Sequence, residues 1–571
     1  MLESVASRQA ALGARFPQWP SRSLDGMLAW AAEAFANNDF VVTDKQVYSY
    51  AEMNLWVSKV AAGLQRSGVK SGDHVAVVMA NYAEFVAVKF AISRVGAIAV
   101  PLNFLNRSNE LAYLLAQSDA NYLVTMDGFR GLNYLHMLDQ IMPGWQQQGG
   151  GDTFPKLRQV IVFATGEVEP DNSAIDFASL ELCGAHDDEK SHPEQGRQNA
   201  HAIADIIYTS GTTGGPKGVM LSHDMVLRAA YGSAYARAFG PSRRIQFSLP
   251  MYHVYGYVEG LLAVMYVGGA IVPQLKFDPL ETLRAVTQHR VNDLLLIPTM
   301  TSAILEARKT LHTDFPSLNA MLSSGGKAPA SLWPAINQAF GKLEITTGYG
   351  MTEATASTTV TRPEDPLDRL LTTNGRLRDV GIAADPTQNG LLVAYRVVDT
   401  ATEQEVAPGE LGELRIKGLG VTQGYYNKPE ATAAAFDDQG WMKTGDLGSI
   451  DTDRYLRLLG RTKESYRCGG EQVLPFEIEA LLMDQPRVIE AFVVPVPDQK
   501  MGEAGVGFVV VSGPVNLPSL KVICAEQLAR FKVPKHLLLI DAADVPRTAT
   551  GRPQKFLLVE RAMVALGLSA E

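Results

Sequence analysis

The chain has only three cysteines in 571 residues, Cys183, Cys468 and Cys524, far apart and without a CxxC pair. That spacing offers neither a disulfide framework nor a thiolate metal site, and it suits a reducing interior. No apolar run reaches the roughly 20 residues needed to cross a bilayer, and the longest, such as Leu261 to Pro273, are expected to be core helix or strand. Met1 to Trp19 carries Glu3, Arg8 and Arg15 and lacks the unbroken apolar stretch of a signal peptide, so a cytoplasmic location is expected rather than export. Clusters of lysine and arginine are missing, and the formal net charge is -10, which argues against nucleic acid as a partner. Neither a repeat of fixed period nor a heptad run is visible.

With 46% hydrophobic and 20% charged residues, the composition is that of an ordinary globular enzyme. The length exceeds what one hydrophobic core supports, so a large body plus at least one further domain is expected. Leu64 to Val69, the strand-like run from Gly72 to Met79 and the segment Phe85 to Val100 alternate as strand and helix in an α/β body. A polar stretch, Gln146 to Asp152, precedes the strand-like Gln159 to Phe163, and the acidic Asp171 to Gln198 reads as an exposed loop. Beyond Gly460 the character changes. Val488 to Val496, Gly507 to Val511, a helix over Ala525 to Phe531 and His536 to Ile540 suggest a compact α+β unit of roughly a hundred residues. The expected division is therefore a large N-terminal body of mixed sheets and helices over 1–460 and a small α+β domain over 461–571.

Tyr208-Thr-Ser-Gly-Thr-Thr-Gly-Gly-Pro-Lys-Gly218 follows the strand-like Ala202 to Ile207 and precedes a helical pattern near Met225. Small residues let backbone N–H groups approach a polyphosphate; the hydroxyls of Thr209, Ser210, Thr212 and Thr213 and the charge of Lys217 add to them, with Gly211 and Gly214 supplying the close approach. A Walker loop is excluded, because Pro216 precedes the lysine and Gly218, not serine or threonine, follows it.

This segment resembles the phosphate-binding signature of the adenylate-forming superfamily, which comprises acyl-CoA synthetases, luciferases and peptide-synthetase adenylation domains. Further segments resemble its motifs in the same order over nearly the whole chain: Gly96 to Asn103, Leu249 to Val254, Gly348 to Glu353, Gly412 to Gly418, Trp441 to Asp446, Gly460 to Lys463 and Pro546 to Gly551. The resemblance implies that Tyr349, beside Gly350, lies against adenine, Thr352 meets the α-phosphate and Glu353 holds Mg²⁺, a hard carboxylate oxygen for a hard cation. It also implies that Gly325 and Gly326 border adenine and the acyl channel, that Asp446 binds ribose and that Arg461 reaches ribose and phosphate. Tyr252 and His253 correspond to the acyl-pocket gate, and Gly256, Gly325, Gly348 and Ala354 fall in segments that line the pocket, their small side chains suggesting room for a bulky apolar acid. No aspartate lies between Leu249 and Val258 to hold an ammonium, so an α-amino acid substrate is disfavoured.

By the same resemblance the small domain turns about Lys463, presenting one face for adenylation and another for thiol attack, while Gly469 and Gly470 border a pantetheine channel. The implied substrates are a small carboxylic acid or its acyl-adenylate, ATP and coenzyme A. One position departs from the pattern. The last motif normally ends in Gly-Lys, and here Arg552 follows Gly551. A guanidinium is broader, longer and planar, so it does not simply replace an ammonium that bridges carboxylate and α-phosphate. Lys555 stands three residues on and is a candidate substitute. The departure implies impaired adenylation with intact transfer to CoA, and resembles the non-adenylating acyl-CoA ligases of natural-product biosynthesis; a separate adenylating ligase would then supply the acyl-AMP. A complete ATP-dependent synthetase and an acyl-AMP ligase loading a separate carrier protein remain the alternatives.

Overall fold

The computed structural model describes residues 3–169, 173–184, 199–209, 215–311, 313–325, 331–548, 551 and 553–568. Two seven-stranded sheets build the body. One runs Lys217–Ser222, Ile203–Thr209, Ile98–Pro101, His74–Val78, Tyr122–Met126, Gln159–Phe163, Ile175–Asp176; the other runs Glu344–Thr346, Ala320–Ser323, Asp293–Leu296, Arg244–Phe247, Ala270–Pro273, Asp39–Val42, Val47–Ser49. Each is parallel except for one antiparallel pair at one end. Every residue of His74–Val78 and Tyr122–Met126 is buried, the unbroken pattern of strands covered on both faces.

Parallel neighbours require a crossover, and the helix Ala83–Val95 supplies it between His74–Val78 and Ile98–Pro101. It is buried on all sides and ends at Gly96, whose φ of 81° is the left-handed closure that glycine accepts most readily. The Leu261 to Pro273 run divides into the end of a π-helix, Tyr255–Leu262, a 3₁₀ turn, Ala263–Val267, and the strand Ala270–Pro273, all in the core as expected. Among the described residues no helix is long and apolar enough to cross a membrane.

Two smaller sheets complete the body: Gly348–Met351, Ala356–Val360 and Arg376–Leu377, then Ala394–Val398, Gly412–Lys417, Met442–Ile450 and Leu456–Arg461. The next strand after Arg461, Tyr466–Cys468, already belongs to the last sheet. That sheet centres on a long hairpin, Val488–Asp498 against Gly502–Val511. Its alternation is strict. Val493 and Val509 pack beneath the helices Pro475–Met483 and Leu517–Gln527, whereas Phe492, Val494, Val506 and Phe508 pack against Leu558 and Ala562 of the helix Lys555–Ala565.

Two local expectations need correction. The helix expected over Ala525 to Phe531 runs from Leu517 to Gln527, because Asn516 caps its N-terminus and Pro518 starts it eight residues earlier than the apolar residues suggest. The stretch read as a loop from Asp171 to Gln198 contains the helix Phe177–Gly184, since Phe177 and Leu180 are buried and Trp56 donates to Glu181 at 2.6 Å. The rest of that stretch at 171–172 and 185–198 lies outside the described residues.

Candidate active site

At the ends of the segment Tyr208 to Gly218, Tyr208 and Thr209 of one antiparallel strand pair with Gly218 and Lys217 of the next. Ser210, Gly211, Thr212, Thr213 and Gly214 lie outside the described residues. Gly218 turns out to be a packing glycine, for a Cβ there would stand 2.6 Å from Ile206 Cγ2. The Lys217 ammonium sits 4.8 Å above the ring of Tyr425, and the Tyr425 hydroxyl donates to Glu353 Oε1 at 3.0 Å. One aromatic side chain thus joins a cation and a carboxylate that are distant in sequence. Sequence reading missed Tyr425. Its only signal was a tyrosine after Gly424, and nothing local says what the ring or hydroxyl would meet.

Backbone bonds fix this assembly. Thr422 N–H donates to Glu353 O at 2.8 Å, Met220 N–H to Gly424 O at 3.2 Å and Tyr426 N–H to Gly218 O at 2.8 Å. Burial raises the Glu353 pKa, an effect partly offset by hydrogen bonds from its own backbone N–H and from Tyr425. Among the described residues no group of three or more histidine, cysteine or acidic side chains gathers for a metal. The donor set fits Mg²⁺ even so, because that ion typically takes one or two carboxylates and completes its shell with water and substrate phosphates. Glu353 would hold it, with Thr352 beside it on the same turn.

Tyr349, Asp446 and Arg461 meet in a second group. The Tyr349 hydroxyl donates to Asp446 Oδ2, and Arg461 Nε lies 3.0 Å from Asp446 Oδ1. Asp446 and Arg461 are directly opposite in the pairing of Met442–Ile450 with Leu456–Arg461, so strand register itself makes the contact. Tyr349 is buried, and burial first, then the Asp446 charge, push its phenol well above the ordinary range. The turn between Gly348–Met351 and Ala356–Val360 carries Thr352, Glu353 and Ala354, then places Thr355 and Ala356 at φ 55° and 82°. Two consecutive side-chain-bearing residues in the left-handed region store strain that the surroundings must hold.

His253 and Tyr252 precede the π-helix. Tyr255 N–H donates to His253 Nδ1 at 3.2 Å, which assigns the imidazole proton to Nε2, and burial drives its pKa down to about 4, so the ring is neutral at pH 7. Tyr252 is buried with its ring edge against Phe104 at 5.4 Å, and its hydroxyl has no hydrogen-bond partner among the described residues. Three of the glycines are packed tightly against backbone. A Cβ on Gly256 would lie 2.6 Å from Pro250 O, one on Gly348 2.2 Å from Thr359 O and one on Gly350 1.9 Å from Ala356 O. Close backbone packing accounts for these three glycines. Gly325 differs, with φ 92° and Ile297 Cγ2 at 3.5 Å from its Cβ direction; Gly326 lies outside the described residues.

Lys463 is exposed in the turn between Leu456–Arg461 and Tyr466–Cys468. Gly469 and Gly470, at φ 63° and 87°, form the two-residue connection of the hairpin Tyr466–Cys468 and Glu471–Val473. A tight turn with both central residues left-handed demands glycine there, so turn chemistry accounts for the pair. Arg552 lies outside the described residues, but described residues on either side of it are held in place. Gln554 N–H donates to Pro546 O at 2.8 Å, Arg547 pairs with Glu490, and Gly551 is so close to the body that a Cβ would stand 2.3 Å from Ile297 Cδ1. Lys555 is engaged by two carboxylates. Its ammonium lies 2.7 Å from Glu479 and 3.1 Å from Glu464, and these carboxylates outweigh burial and raise its pKa.

The AMP-binding enzyme model matches residues 28–426, and the model of the AMP-binding enzyme C-terminal domain matches 477–552. A Bacillus subtilis relative named as an acyl-CoA synthetase, YngI, is 34% identical over 95% of this chain and 98% of its own. The 3-[(3aS,4S,7aS)-7a-methyl-1,5-dioxo-octahydro-1H-inden-4-yl]propanoyl:CoA ligase of Mycobacterium tuberculosis is 31% identical over 90% of this chain and 94% of its own. Among solved structures, o-succinylbenzoate CoA synthetase of Bacillus subtilis with ATP and magnesium superposes with a TM-score of 0.76 at 26% identity, covering 93% of this chain and 99% of that one. Anthranilate CoA ligase AuaEII with anthranoyl-AMP gives a TM-score of 0.81 at 23% identity, covering 96% and 99%.

Proposed function

Since the chain belongs to the AMP-binding enzymes, the family of acyl-CoA synthetases and ligases, we propose that it makes an acyl-CoA thioester by way of acyl-AMP, with adenylation its weak half-reaction. In the first half a carboxylate attacks the α-phosphorus of ATP, forming the mixed anhydride as the bond to pyrophosphate breaks. In the second the CoA thiolate attacks the acyl carbon, the thioester forms, and AMP leaves.

The observation that carries the reading is the meeting of Lys217, Tyr425 and Glu353 on one side with Tyr349, Asp446 and Arg461 on the other, joined by the turn Thr352–Ala354. Tyr349 offers an aromatic face to adenine, Asp446 accepts from ribose hydroxyls, Arg461 and Lys217 answer phosphate charge, and Thr352 donates to an α-phosphate oxygen. Bound Mg²⁺ at Glu353 neutralises part of the polyphosphate charge. Neutral His253, with its proton on Nε2, would orient the substrate carboxylate. The small domain, 461–571, turns about Lys463 between the two halves.

Two features support the weak first half. Arg552 stands where the motif has lysine, and Lys555, the nearest alternative ammonium, is committed to Glu464 and Glu479. One misplaced electrostatic contact costs on the order of 10²–10³ in rate. The decisive experiment compares pyrophosphate release from free acid and ATP with thioester formation from synthetic acyl-AMP and CoA. Fast thioester formation beside slow pyrophosphate release is expected; comparable rates would leave a complete synthetase that works with arginine. Replacing CoA by a carrier protein as acceptor tests the remaining alternative.

A further inference from the structure

Glu259 lies in the middle of the π-helix Tyr255–Leu262, fully buried and four residues beyond Tyr255. Its Oε1 accepts from Arg378 Nη2 at 2.6 Å and from the backbone N–H of Ser357 at 3.1 Å. Arg378 is equally buried and donates its Nη1 to Ala229 O at 3.2 Å, on the helix His223–Ala236. The π-helix backbone is held as well, Arg237 donating to Glu259 O at 3.3 Å and to Asp293 Oδ2 at 2.5 Å.

Ser357 is the first residue after the left-handed pair Thr355 and Ala356. Glu259 therefore grips the far end of the strained turn whose near end bears Thr352 and Glu353. The side chain of Thr355, bonded to Gly420 O at 2.8 Å, grips its middle. A buried charge pair is weak evidence for stability, because desolvation of both ions offsets their attraction, so an acceptor that reaches a strained turn calls for another reason. π-Helical turns are themselves uncommon and concentrate at functional sites.

We infer that Glu259 is a positioning residue, which ties the π-helix of the acyl pocket to the turn presenting Thr352 and Glu353 and so sets acyl group and nucleotide in register. The inference rests on the acyl-adenylate reading above. It makes the Ser357 N–H acceptor, rather than the charge, the functional feature of the Glu259–Arg378 pair.

Two double variants separate acceptor from charge. Glu259→Gln with Arg378→Gln removes both charges and keeps an amide oxygen for Ser357. Glu259→Met with Arg378→Met keeps volume and removes the acceptor. Each is measured for cooperative unfolding, AMP affinity by calorimetry, and kcat/KM from acyl-AMP and CoA. The Met pair should melt cooperatively yet bind AMP about tenfold more weakly and lose on the order of 10² in kcat/KM, the cost of a misplacement near 1 Å, while the Gln pair stays within about threefold on both. A Met pair that matches the wild type, or two pairs that lose equally, would overturn the assignment. If the wild type makes no thioester at all, the catalytic reading fails while the AMP contrast still decides Glu259. Should neither pair fold, amide exchange in the wild type decides: a Ser357 N–H protected before AMP is added supports the clamp, and a rapidly exchanging one defeats it.

Discussion

Position 552 turns on the difference between a compact ammonium and a planar guanidinium, and Arg552→Lys should restore the former. Pyrophosphate release from acid and ATP should rise by roughly tenfold or more, with thioester formation from acyl-AMP unchanged, as stopped assays of both halves will report. Glu353→Gln should act in the opposite sense, suppressing the ATP-dependent half far more than acyl-AMP turnover; equal losses would remove the metal assignment. His253 gives a pH prediction. Its pKa falls from 6.5 unfolded to about 4 folded, so the unfolded chain takes up a proton first as pH drops, and folded-state stability is lost from about pH 6.5 down to about pH 4. His253→Gln should flatten that part of the stability profile in denaturant titrations, and an unchanged slope would show the imidazole to be exposed to titration in the native state. Individual residues were unevenly legible. Tyr349, Asp446 and Arg461 were readable because each belongs to a recognisable segment, whereas Tyr425 meets Glu353 across 72 positions and Glu259 meets Arg378 across 119, contacts that no local pattern encodes.

Elements were read best where burial imposes a simple period. The strands at His74–Val78 and Gln159–Phe163 follow directly from continuous apolar runs, and the helix expected near Met225 begins at His223, capped by Ser222. The misread helix at 517–527 shows why caps outrank apolar content: its buried residues are only Leu520 and Cys524, too sparse to reveal a period. Glycines were the other ambiguity, since a glycine required by a turn and one required by a ligand look alike in sequence. The Gly469–Gly470 turn offers a test at this scale. Gly470→Ala places a side chain at φ 87° with open space around it, so the cost is backbone strain alone, about 1–2 kcal/mol. Thermal unfolding should register that loss while kcat/KM for CoA holds; a large rise in the KM for CoA would restore the channel role.

At the scale of the whole molecule, the proposed alternation places a hinge at Lys463, where the four-stranded sheet of the body gives way to the sheet of the small domain. Lys463→Pro, fixing φ near roughly -65°, should trap one orientation and disable one half-reaction preferentially, read from the same two assays. Equal rates in both would move the hinge elsewhere. The three-way contact of Lys555 with Glu464 and Glu479 bears on how such a turn is transmitted. Glu464 adjoins the hinge, and Lys555 heads the helix that follows the loop of residue 552. If the hinge lies at Lys463, these contacts would make residues 464, 479 and 555 turn together as one stiff lever. Such a lever would bring the segment before Lys555 to the substrate on one stroke and remove it on the other. Under the proposed division of labour, thioester formation from acyl-AMP would make no demand on residue 552, whereas the Lys555 contacts with Glu464 and Glu479 would bear on both strokes.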